Sequence, residues 1–120
     1  MASAAESIAD SLSQRVKPGV LLGCPGEAIA GNDKEIEAGC ALSLWVAKWR
    51  QPVRLTPLQL SLEETSEGHA IFGRPDELAA ADAEQAAMLV LADPFTFPID
   101  AFLQQVQDDC RGLRVMGGER

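Results

Sequence analysis

Residues 88–92, Met-Leu-Val-Leu-Ala, form a continuous apolar run ending on Asp93-Pro94, and a pattern of helical period follows. A run this short and this apolar reads as a strand buried on both faces. Pro98 suits a first helical turn, where its missing N–H removes no bond, and Asp100 complements the positive end of the helix dipole. Ile99, Phe102, Leu103, Val106 and Cys110 then make one apolar stripe, and Gly112 stops the helix. Leu113, Arg114, Val115 and Met116 read as the next strand, running into a loop at Gly117-Gly118. Strand, helix, strand at this spacing predicts a parallel crossover with its helix on one face of the sheet. The fold class expected is α/β, with α+β as the alternative: a single mixed sheet with helices near residues 3–16 and 98–111.

The first of those helices carries Ala5, Ile8, Ala9, Leu12 and Val16 on one stripe, with Glu6, Asp10, Ser13 and Gln14 away from it. Ser3 and Glu6 have capping-box spacing: the serine oxygen accepts a free backbone N–H while the glutamate reaches back to the cap. Lys17-Pro18-Gly19 ends the helix, since proline cannot continue the ladder and glycine takes a left-handed turn.

Between the two helices the pattern predicts strands. Residues 20–23 read as a short buried strand. Residues 41–49 read as another, with Leu42, Leu44 and Val46 on one face, Ser43, Trp45 and Trp49 on the other, and both faces covered. The polar residues 32–39 read as a surface connection between them. Leu58, Leu60 and Leu62 alternate with Gln59 and Ser61 as in a strand with one wet face, beside Pro57, which belongs at an edge or bulge. An acidic turn at residues 63–67 and a returning strand at 69–73 follow, while residues 75–85 carry no specific signal.

With 120 residues, 47% hydrophobic and 23% charged, the chain is expected to form a single domain over residues 1–120. A net charge of -8 argues against nucleic acid and anionic membranes as partners, because affinity for phosphate comes from lysine and arginine displacing counterions. Cys24, Cys40 and Cys110 form no Cys-x-x-Cys pair, so neither a disulfide scaffold nor a zinc site is signalled. Reduced thiols and the lack of any long apolar stretch suggest a cytoplasmic protein without a membrane anchor.

Chemistry concentrates at two places. Residues 23–31, Gly-Cys-Pro-Gly-Glu-Ala-Ile-Ala-Gly, bring Gly23, Gly26 and Gly31 close together in a loop where a ligand would meet bare backbone or where positive φ is permitted. The loop lacks the Gly-Lys-Ser/Thr ending of a phosphate-binding loop and the Gly-x-Gly-x-x-Gly spacing of a dinucleotide fold, and a structural turn explains it as well as a ligand does. Cys24 reads as a small buried cysteine rather than a nucleophile, with the single histidine, His69, over forty residues away in sequence. Asp93 stands at the carboxyl end of a strand, where open α/β sheets place ligand-contacting groups, or else caps the turn before the helix. Phe95 and Phe97 line an apolar pocket or staple the first helical turn, and Trp45 and Trp49 read as core aromatics. No metal set is formed by Glu27, Glu35 and Glu37, and no cofactor is expected.

Four separated motifs resemble the FIST N-terminal domain family across residues 1–118: the Gly-Cys-x-Gly-Glu loop at 23–27, Ala-Leu-Ser-Leu-Trp at 41–45, Leu-Ala-Asp-Pro-Phe at 91–95, and Val-Met-Gly-Gly at 115–118. The resemblance implies an intracellular sensory module that binds small molecules such as amino acids and signals to attached output domains; some family members bind haem. Compared with that family, the chain reads as an excerpt, a partial domain without the first strand and the later parts. A sheet lacking a strand invites pairing of its edge across a homodimer, or cover by a chain terminus.

The function expected is therefore a non-enzymatic sensory module whose ligand site gathers Gly23, Cys24, Gly26 and Glu27 with Asp93, Phe95, Gly117 and Gly118. The alternative is a protein-interaction or assembly domain with no small ligand, and a less favoured one is a thiol enzyme using Cys24.

Overall fold

The computed structural model describes residues 3–74 and 83–119. It is of the mixed α/β class: α1 (Ala4–Val16), β1 (Ile29–Gly31), β2 (Lys34–Ile36), β3 (Ser61–Thr65), β4 (Gly68–Phe72), a 3-10 turn (Ala83–Gln85), β5 (Ala87–Ala92), α2 (Ile99–Asp109) and β6 (Arg114–Glu119). The chain divides into two compact units, one up to Thr56 and one from Pro57.

In the first unit, α1 begins as its capping box requires. The Ser3 Oγ accepts the Glu6 N–H at 3.2 Å and the Ser3 N–H donates to Glu6 Oε2 at 2.6 Å. The helix ends at Val16, as expected, but Lys17 and not Gly19 takes the left-handed conformation (φ 51°, ψ 54°), and its N–H donates to the Ser13 carbonyl. Ile29 to Gly31 pair antiparallel with Lys34 to Ile36 around a two-residue turn in which Asn32 has φ 55°. Asparagine tolerates that conformation better than most residues, so the polar segment expected to be a plain connection instead folds back as a hairpin.

Two expected strands are absent. Residues 20–23 and 41–49 are irregular and exposed, with Trp45 78% and Trp49 53% accessible, so neither tryptophan is a core aromatic of this unit. Alternating apolar residues equip a segment for two sheet faces, but a strand also needs a neighbour to pair its N–H and C=O groups, and no ladder among the described residues reaches these segments.

The second unit holds the core. Ser61 to Thr65 pair antiparallel with Gly68 to Phe72, so the ladder begins at Ser61, later than the leucine alternation predicted, and takes in Glu63 and Glu64, which had read as turn. The connection tightens at Ser66-Glu67, where Thr65 Oγ1 donates to the Gly68 carbonyl at 2.8 Å. Of residues 75–85, those at 75–82 lie outside the described residues. Ala87 to Ala92 pair parallel with Arg114 to Glu119, and α2 connects them, giving the expected crossover.

Met88, Val90 and Ala92 face Phe102, Val106 and Cys110 in one buried cluster, flanked by Leu58, Leu60, Ile71, Phe97, Ile99, Leu113 and Val115. Phe102 is 1% exposed and meets the Phe97 ring edge-on, centroids 5.7 Å apart. At its far end α2 is tied down by Arg74, whose Nη2 donates to Asp109 Oδ2 at 2.7 Å.

Three features differ from the sequence reading. Among the described residues the strands form three two-stranded sheets, one in the first unit and two in the second, in place of one mixed sheet, because two of the three pairings are local hairpins. Leu89 and Leu91 are exposed, so β5 is covered on one face only; a run apolar on both faces does not reveal whether two layers exist to cover it. Gly117 and Gly118 lie within β6 and not in a loop.

Candidate functional site

Pro94 cannot extend the β5 ladder, and the chain turns immediately after Ala92. Asp93 organises that turn twice over. Its Oδ1 accepts the Phe95 N–H at 3.0 Å, and its carbonyl accepts the N–H groups of Thr96 at 3.2 Å and Phe97 at 2.9 Å. The capping role expected of aspartate before proline is thus present, and it leaves Asp93 half-buried at the carboxyl end of the strand.

The same turn separates its two phenylalanines. Phe97 points inward to Phe102, whereas Phe95 is 93% exposed at the tip. Of the staple foreseen for both, only Phe97 fulfils it. Burying a phenylalanine is worth about 1.5–3 kcal/mol, so the exposure of Phe95 forgoes a stabilisation its neighbour obtains.

Gly117 and Gly118 stand on the adjacent strand, in register with Val90 and Leu91. Gly117 has φ 152°, and a β-carbon there would overlap the Val90 carbonyl oxygen, so the close approach of β5 and β6 requires glycine. A β-carbon on Gly118, which is exposed, would meet nothing within 4 Å, so the space beside this residue is open. Asp93, Phe95, Gly117 and Gly118 therefore belong to one parallel pair and the turn at its carboxyl end.

Gly23, Cys24, Gly26 and Glu27 belong to the other unit, in the exposed irregular segment before β1. None of these glycines has positive φ. A β-carbon at Gly23 would have open space, and one at Gly26 would come 3.3 Å from the Ala28 carbonyl oxygen. Cys24 is exposed and not buried as its residue type suggested, because the segment has no covering layer within its unit; Cys40 is exposed as well, and Cys110 is the buried thiol. Among the described residues no three His, Cys, Asp or Glu side chains are grouped to hold a metal ion, and no helix is long and apolar enough to cross a membrane.

The sequence reading missed the apolar face formed by Leu89 (54% exposed) and Met116 (55%), which are register partners, together with Leu91 (38%). Alternation would have signalled a half-covered strand, but both faces of β5 are apolar and the signal is missing.

The FIST N domain family model matches residues 1–119. The chain belongs to the FIST N domain family. Family membership makes it a sensory-type domain of signal transduction. An uncharacterized protein of Mycobacterium bovis, Mb0898c, is 30% identical over 114 residues, which is 95% of this chain and 28% of the relative. An uncharacterized protein of Mycobacterium tuberculosis, Rv0628c, is 30% identical over 103 residues, 86% of this chain and 25% of the relative. This FIST N domain thus spans about a quarter of the length of the curated relatives it matches. No solved structure matches it.

Proposed function

We propose that this FIST N domain is a non-enzymatic sensing module that binds a small molecule, such as an amino acid, and relays occupancy within a cytoplasmic signalling protein. The site proposed is the turn from Asp93 to Phe97 with the open space beside Gly118. The observation that carries the reading is Phe95, an exposed aromatic ring on a turn whose backbone is held by three hydrogen bonds to Asp93. A pre-organised apolar contact at the carboxyl end of parallel strands, beside a glycine with no side chain to block approach, suits a small ligand with an apolar part. Three free thiols suit a reducing compartment, and the charge of -8 disfavours nucleic acid as the ligand.

Thermal-shift and NMR titration with the common amino acids test this reading. Chemical-shift changes centred on Asp93, Phe95 and Gly118 support it. Binding that leaves those residues unmoved removes the site, and a screen with no binder removes the small-ligand function.

The exposed face of Leu89, Leu91 and Met116 favours a second reading, an assembly domain that works by protein contact, with edge pairing of the two-stranded sheet as its mechanism. Light scattering separates the two: a folded monomer across micromolar concentrations counts against self-assembly.

A further inference from the structure

We draw no further inference here: the strongest candidate, the apolar face of the β5–β6 pair turned away from α2 and carrying Leu89, Leu91 and Met116, has exposed side chains but nothing in the structure shows what covers it.

Discussion

Gly117 lies opposite Val90 in the parallel pair with its backbone so close that any β-carbon would overlap the Val90 carbonyl oxygen. Gly117→Ala must either push β6 away from β5 or distort the φ of 152°, and both routes cost stability. Strain and overpacking of this kind are each worth about 1–3 kcal/mol, so we expect a loss of about 3 kcal/mol in urea unfolding. Gly118→Ala, which meets open space, is expected to stay within about 0.5 kcal/mol of the parent. Equal effects of the two substitutions would contradict the close approach.

Phe102 is the most deeply buried large side chain of the cluster, sealed by α2 over Met88, Val90 and Ala92. Phe102→Ala is expected to lower stability by about 3–5 kcal/mol through lost burial and the cavity left behind. A loss below about 1 kcal/mol would mean that the helix does not sit on this face of the sheet.

Ser3→Ala removes the oxygen that accepts the Glu6 N–H and half of a reciprocal pair. The expected cost is about 1 kcal/mol, read as reduced helical circular dichroism on warming, with Ser3→Asp restoring most of it because aspartate is an equally good cap. If neither variant moves the signal, α1 is not capped in solution.

Phe95→Ala separates binding from folding. A side chain 93% exposed contributes little to stability, so the melting midpoint should hold while affinity for the ligand falls tenfold or more, about 1.4 kcal/mol. Asp93→Ala should weaken both, since it deletes the side-chain bond to the Phe95 N–H, one of the three that hold the turn. An amino-acid ligand that binds Phe95→Ala as well as the parent would exclude this turn as the site.

Cysteine alkylation bears on the thiol-enzyme alternative. Cys24 and Cys40 are both exposed and should react with iodoacetamide at similar rates near neutral pH, while Cys110 should be protected until the unit unfolds. A Cys24 rate far above that of Cys40 would mark an activated thiol and revive a catalytic role for it.

The sequence by itself determined the features whose causes lie within a few residues. The capping box at Ser3 and Glu6, the apolar stripe of Ile99, Phe102, Val106 and Cys110, the break at Asp93-Pro94 and the crossover from β5 to β6 all follow from spacing and local hydrogen-bonding capacity, and all are present, although Leu103, read as part of that stripe, is exposed. Tertiary structure decided what depends on distant partners. Residues 20–23 and 41–49 have the composition of strands yet form none, because a ladder requires a second segment at hydrogen-bonding distance and composition cannot supply one. Phe95 and Phe97 are the same residue type in the same turn, and only the position of Phe102 separates the outward ring from the inward one. Gly117 reads as loop in isolation; it becomes strand because Val90, far away in sequence, lies against it more closely than any side chain allows.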